Sequence, residues 1–374
     1  MSLEFGILPL NAELIERFER VTGKPAHPFI KRGFIFGHRD VKLLLDDYEA
    51  GNPIYIYTGR GPSGPMHLGH LVPFHFTKYL QDVFNCTVVI QMADTEKYYF
   101  KDLKFEQIQN YMEENIKDIK AMGFNLDKTF IFSNHQYLST VPMQNIMNLL
   151  LKKISINTLG KTFGFIETHH EESCQGDMCV SPDPVQGTNH KEPYQGINLG
   201  QLYSCVCQMA PCFSSIFPHL FGSGKIRCVV AYSVDQDPYF RLVRDVASSL
   251  GYPKPVCLIG NFLPALHGKD KMSTTGGTEL IYLHDSSEEV TLKIRKYAFS
   301  GGRDTLKEHR EKGANLGVDI PYQYLRFFEP DDKIVEEIRV KYGSGEMLSK
   351  EVKERVSSRI NEILKEHQIK RKEY

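Results

Sequence analysis

The stretch Ile54 to His70 reads IYIYTGRGPSGPMHLGH. Its first five residues are β-branched and aromatic, the composition of a strand, and the turn-rich GRGPSGP ends them. An apolar helical pattern follows from Met66 to Val83. Glycine lets the backbone approach a ligand with no Cβ in the way. A helix start offers free N–H groups and a partial positive charge, which suit phosphate oxygens. His67 and His70, three apart, share one helix face and can bond phosphate or ribose, and Gly69 between them leaves a flat floor for a base. Taken alone, these residues also fit a strand-to-helix turn with two surface histidines.

Outward from this stretch the same alternation continues. Thr87 to Met92 reads as a buried strand. Phe105, Ile108, Met112, Ile116 and Ile119 form a helix stripe. Thr129 to Phe132 is a third strand, and Val141 to Ile156 an apolar helix. After Glu167 to Asn198, which is rich in Pro, Gly and His and reads as an inserted loop, the rhythm resumes. Arg227 to Tyr232 is a strand, Tyr239 to Leu250 a helix and Val256 to Gly260 a strand. This order predicts an α/β fold with a Rossmann-like parallel sheet and ligands at the strand C-termini. Residues 1–50 read as a mostly helical extension, with helices over Ala12 to Thr22 and Val41 to Tyr48. Residues 51–283 form the catalytic α/β domain. Beyond Leu283 only helical patterns remain, so 284–374 reads as an all-helical C-terminal domain.

A second polar segment, GKDKMSTTGG, follows the last α/β strand. Lys271 there is a movable point charge for a triphosphate, and Met272 and Ser273 accompany it. Its composition is equally that of a solvated loop.

The 374 residues carry a formal net charge of −1, so any RNA-binding surface must be local. The N-terminal stretch lacks a basic region ahead of an apolar run, and no apolar stretch approaches the roughly 20 residues of a membrane span. Eight scattered cysteines read as reduced thiols, and the expected compartment is the cytoplasm. His169, His170, Cys174, Cys179 and His190 in the inserted loop fit a plain loop or a zinc site of irregular spacing. Cys205 and Cys207 read as buried helix residues.

His67-Leu68-Gly69-His70 and Lys271-Met272-Ser273-Thr274-Thr275 occur in order, about two hundred residues apart by the sequence numbering. Together they resemble the HIGH and KMSKS signatures of class I aminoacyl-tRNA synthetases, the second signature lacking its second lysine. RGFIFGHRD (Arg32 to Asp40), YTGRGPS (Tyr57 to Ser63), VIQMADTEKYYFKDL (Val89 to Leu103), DQDPYFRLVRDVA (Asp235 to Ala247) and AFSGGRDTLKEHR (Ala298 to Arg310) are similar to the eukaryotic-type tryptophanyl members. The resemblance implies activation of tryptophan by ATP and its transfer to tRNA(Trp), by a homodimer, with Mg2+ accompanying ATP. It implies an ATP site of Gly59, Arg60, Gly61, Pro62, His67, Gly69, His70, Lys271, Met272 and Ser273. Of these, His67, His70, Arg60 and Lys271 would be catalytic. Tyr57, Gln91, Glu96, Gln208 and Gln236 would bind tryptophan, and Arg303 and Asp304 the anticodon. No resident protein metal site is expected. The basic stretch Lys350 to Tyr374, with eight Lys/Arg against five Glu, would meet tRNA phosphates or form a solvated face. Composition alone leaves open a tyrosyl enzyme, a non-catalytic RNA-binding relative, or another adenylyl transferase of this fold.

Overall fold

The computed structural model describes residues 6–164, 196–268, 271–272 and 279–374. The strands are β1 (Leu8–Pro9), β2 (Ile35–Arg39), β3 (Ile54–Arg60), β4 (Thr87–Met92), β5 (Thr129–Ser133), β6 (Arg227–Ser233) and β7 (Val256–Gly260). They form one sheet in the order β1-β2-β7-β6-β3-β4-β5. Five neighbours, β7 through β5, run parallel. The helices that matter below are α1 (Ala12–Thr22), α2 (Val41–Glu49), α3 (Leu68–Phe84), α4 (Asp94–Phe100), α5 (Phe105–Ala121), α6 (Val141–Lys153), α7 (Leu199–Met209), α8 (Asp237–Ala247), α9 (Ser287–Tyr297), α10 (Ile320–Phe328), α11 (Asp332–Gly343) and α12 (Ser349–Arg371).

Burial on both sheet faces explains why β3 is apolar from Ile54 to Tyr57. Ile54 and Ile56 point into one core with Val88, Ile90 and the apolar stripe of α3. Tyr55 and Tyr57 point into the other with Val89, Val230 and the buried side of α7. Each large side chain so buried stabilises by about 1.5–3 kcal/mol. A charge at Ile56 would break the sheet centre.

The parallel strands and helices follow the sequence reading closely. The first fifty residues depart from it. α1 and α2 are helical as expected, but β2 between them pairs antiparallel with β7. The predicted parallel sheet is therefore mixed at that edge. Arg39 at the end of β2 is buried and ion-paired with Asp237, where Tyr232 also donates to the carboxylate. A buried arginine needs that partner, and the partner lies nearly two hundred residues on.

The helical C-terminal part is packed onto the α/β part. Leu283, Val290, Leu325 and Ile360 belong to the same continuous core as Ile56 and Leu80. His169, His170, Cys174, Cys179 and His190 of the inserted loop, with Ser273, Thr274 and Thr275, lie outside the described residues. Among the described residues no three His, Cys, Asp or Glu could hold a metal together. Cys205 and Cys207 are buried in α7, as expected.

Candidate active site

In an open α/β sheet, ligands collect at the strand C-termini where the order reverses. Here the order reverses at β3, with β4 on one side and β6 on the other. β3 ends at Arg60, β6 at Ser233, and α3 begins just beyond. A cavity lined by Gly69, Val72, Tyr232, Ser233, Gly260 and Asn261 opens at that point. A larger cavity, of about 240 Å³, lies behind α3 against the C-terminal helices and holds neither signature. The free N–H groups of a strand-to-helix turn at the sheet's switch point favour the first as the reaction site.

His67 is the N-cap of α3. Its Nδ1 accepts the N–H of Gly69 at 3.2 Å, while His70 Nδ1 accepts the N–H of His67 at 3.2 Å. The two rings lie 3.7 Å apart. Imidazole replaces the usual Ser or Asp cap, and the reciprocal bonds satisfy two of the orphan donors of the helix start. Because each Nδ1 accepts, the proton of each neutral ring sits on Nε2. His67 Nε2 is buried with no partner, a donor held ready. Burial, with Arg60 nearby, pushes the His67 pKa down to about 3 and that of His70 well below its ordinary value. Both rings are neutral donors across the physiological range.

The second signature lies against the first. A Cβ built on Gly69 would come within 3.2 Å of the Met272 carbonyl oxygen. The Leu68 N–H donates to Ile281 O at 3.0 Å, and Leu283 N–H to Met66 O at 3.0 Å, tying the segment after the lysine loop to the helix start. Lys271 is ion-paired with Asp235 at the end of β6. From Asp235 a chain of contacts runs inward. Gln236 Nε2 lies 3.4 Å from Asp235, Gln208 Nε2 donates to Gln236 at 2.9 Å, and the Gln208 carbonyl accepts from Tyr57 at 2.9 Å. The same hydroxyl lies against Gln91 Oε1, so its one hydrogen is shared between the two acceptors. The structure thus brings together Tyr57, Gln91, Gln208, Gln236 and Lys271.

Gln91 is held in one orientation. Its Nε2 donates to Asn134 Oδ1 at 2.6 Å and to Cys207 O at 2.9 Å, which turns Oε1 toward Tyr57. Burial raises the Tyr57 pKa far above its ordinary value, so the phenol stays neutral. Asn134 was missed by sequence reading because a lone asparagine after a strand carries no pattern.

Arg60 lies at the end of β3 and bonds the loop that follows it. Its guanidinium turns back to the carbonyls of Gly61 and Gly64 and is buried, which lowers its pKa to about 10 and leaves it charged. Lys97, which sequence reading passed over, crosses Gly61 instead. A Cβ there would fall 2.0 Å from Lys97 Cε, so only glycine leaves that path open. Lys97 Nζ pairs with Glu96 at 2.8 Å. Its signal was available, since it sits inside the VIQMADTEKYYFKDL stretch. Pro62 is buried in the same loop. Arg303 and Asp304 are exposed on the loop after α9, with Arg303 Nε donating to Gly313 O at 2.9 Å.

Comparison with known proteins agrees with this geometry. The family model for class I tRNA synthetases (W and Y) matches residues 49–168 and 231–365. The cytoplasmic tryptophan–tRNA ligase of Oryctolagus cuniculus is 43% identical over 376 residues, covering 99% of this chain and 73% of that protein. The Arabidopsis thaliana enzyme of the same name is 43% identical over 367 residues, covering 97% of this chain and 84% of its own. Among solved structures, the tryptophanyl-tRNA synthetase from Giardia lamblia superposes with a TM-score of 0.88 at 40% identity, covering 99% of this chain and 91% of that one. The tryptophan-bound enzyme from Encephalitozoon cuniculi gives 0.83 at 38% identity, with 99% and 93% covered. With both signatures packed at the switch point of its sheet, this chain belongs to the class I tRNA synthetases of the W and Y group, and within it to the eukaryotic tryptophanyl-tRNA synthetases.

Proposed function

We propose that this protein activates L-tryptophan with ATP, forming tryptophanyl-adenylate and pyrophosphate, and then transfers the tryptophanyl group to the 3′ end of tRNA(Trp). The substrate carboxylate is ionised at neutral pH, so no general base is needed. One of its oxygens attacks the ATP α-phosphorus in line, and the bond to the pyrophosphate oxygen breaks. The protein's work is positioning and charge stabilisation. His67 and His70 donate from Nε2 to the nucleotide, and Gly69 leaves room for the base. Lys271 leaves Asp235 to follow the pyrophosphate. Lys97, lying across Gly61, supplies the cation that the Thr274 position of the second signature lacks. The ribose 2′-hydroxyl of the terminal adenosine then attacks the adenylate carbonyl, releasing AMP.

The carrying observation is the contact of the two signatures, Gly69 against the Met272 carbonyl. Selectivity for tryptophan rests on Gln91. Both hydrogens of its amide are engaged, so it offers its acceptor toward Tyr57. Indole N–H is a donor with no acceptor capacity, and fits. Glu96, Gln208 and Gln236 would hold the ammonium and polar end of the substrate.

Magnesium fits as the ion that ATP brings. Asp235, paired with Lys271, would meet that ion through water rather than as part of a protein cage. When bound, it offsets phosphate charge.

The relatives named above are cytoplasmic enzymes, and this chain works in the same compartment. No helix among the described residues is long and apolar enough to cross a membrane. A second copy of the chain would cover α6, which leaves Val141 71% exposed and Leu149 and Leu151 also in solvent. Arg303 and Asp304 would read the anticodon loop, whose unpaired bases present their edges. Amino-acid-dependent pyrophosphate–ATP exchange across all twenty amino acids tests the assignment. Exchange with tryptophan alone is expected. Exchange with tyrosine instead would reverse the specificity, and none at all would point to a non-catalytic relative.

A further inference from the structure

The nucleotide loop and the last helix are joined through one face of α5. Asn115 and Asp118 stand three residues apart there, one turn on the same side. Asn115 is fully buried, and its Nδ2 donates to the Gly64 carbonyl at 3.0 Å. Arg60 NH2 shares that carbonyl at 3.4 Å. Asn115 Oδ1 and Arg60 Nε are both buried without a partner, one an acceptor and the other a donor. A buried polar group left unpaired is costly, so the pair marks a loop held in place for a purpose other than packing. Asp118 looks the other way. Its Oδ1 accepts from Arg371 Nε at 2.6 Å and lies 3.1 Å from His367 Nε2, both on α12. Arg371 also reaches Glu114, and the Asp118 charge acts on Arg60 from behind.

We propose that Asn115 is a positioning residue for amino-acid activation. It fixes the Gly61–Gly64 loop against which the triphosphate lies, and the grip of α12 on Asp118 makes that placement depend on how the helical C-terminal part is seated. The inference rests on the reading of this loop as the nucleotide's. It gives the tRNA-facing part of the molecule a hydrogen-bonded route to the ATP site: α12, Asp118, one turn of α5, Asn115, Gly64.

The test is Asn115→Leu, which keeps the volume and removes the amide. The KM for ATP in tryptophan-dependent exchange should rise about five- to tenfold, the loss of one buried hydrogen bond. Tryptophan affinity should stay unchanged. It can be read from the fluorescence of the bound amino acid, because the chain contains no tryptophan. Arg371→Gln should raise the same KM by a smaller factor, about two- to threefold for a partly exposed charged contact. The double variant should fall short of the product of the two effects. An unchanged KM for ATP in folded Asn115→Leu would overturn the proposal. So would a parallel fall in tryptophan affinity, or effects that simply multiply. If Asn115→Leu fails to fold, Arg371→Gln decides: a raised KM supports the proposal and an unchanged one overturns it. If the wild type shows no exchange, the activation reading fails separately, and the same comparison is made on direct ATP binding by equilibrium dialysis.

Discussion

Gly69→Ala places one methyl group between the two signatures. Built on the present backbone, its Cβ lies 3.0 Å from His67 Cε1, 3.1 Å from His67 Nδ1 and 3.2 Å from the Met272 carbonyl oxygen. These are tight contacts, and two of the three atoms belong to an imidazole held by its own capping bond. Gly69 does not lie at positive φ, so alanine is allowed by the backbone. Alanine is favoured over glycine in a helix by up to about 1 kcal/mol, less near the first turn. Overpacking costs about 1–3 kcal/mol. The overpacking outweighs the propensity gain by up to about 2 kcal/mol, which in a chain of this length lowers the melting temperature by only a few degrees. Function should suffer more. The methyl fills the floor under the base and pushes the lysine segment and the His67 ring apart. If the overpacking falls on the bound state, about 1.4–2.8 kcal/mol is a ten- to hundredfold rise in the KM for ATP. Steady-state exchange at varied ATP measures this, beside tryptophan affinity by ligand fluorescence, which should hold. An unchanged KM for ATP, or equal losses toward ATP and tryptophan, would refute the account.

Lys271→Ala should lower the exchange kcat by about 10²-fold, the usual cost of one well-placed transition-state donor. It should barely change stability, since the Lys271–Asp235 pair is partly exposed and such pairs contribute about 0–1 kcal/mol. Gln91→Ala leaves Asn134 Oδ1 and the Cys207 carbonyl short of a donor, while Tyr57 keeps the Gln208 carbonyl, and should cost about 1–3 kcal/mol in stability by urea titration and raise the KM for tryptophan at least about tenfold. Stability should fall with acid. His67 is held to about 3, and His27 and His75 to about 4, each chiefly by burial, while the unfolded chain protonates near 6.5. Between those values the unfolded state binds more protons, so stability is full above pH 6.5 and declines below it. The slope is up to about 1.4 kcal/mol per pH unit for each imidazole. A urea midpoint unchanged from pH 7 to pH 5 would contradict this. Conversely, exchange should show no break between pH 6 and 8 from His67 or His70, since both stay neutral there.

The interior of the sheet was legible because its strands are buried twice over. Ile54 to Tyr57 is apolar on both faces, and Thr87–Met92 and Val256–Gly260 carry the same signal with the bounds that the structure gives. β2 was not legible. It is short, it contains His38 and Arg39, and its pairing with β7 is set by residues some two hundred positions later. Long-range pairing leaves no local periodicity. At the site, composition and order located both signatures, but not how their atoms are used. That His67 and His70 spend Nδ1 on capping and keep Nε2 free follows from the backbone at the helix start, which residue type does not encode. The contacts of Arg60 were hidden for a similar reason. Its place beside a glycine-rich loop suggests a phosphate ligand, whereas the loop's own carbonyls claim the guanidinium and Lys97 takes the open path over Gly61.

The claim that two distant segments act on one nucleotide is tested most directly by a double-mutant cycle. His70→Ala, Lys271→Ala and the pair are compared in tryptophan-dependent pyrophosphate exchange. If both groups stabilise one triphosphate in one transition state, the double variant loses clearly less than the product of the single losses. Losses that multiply cleanly would mean the imidazole and the ammonium act apart, and would contradict the account.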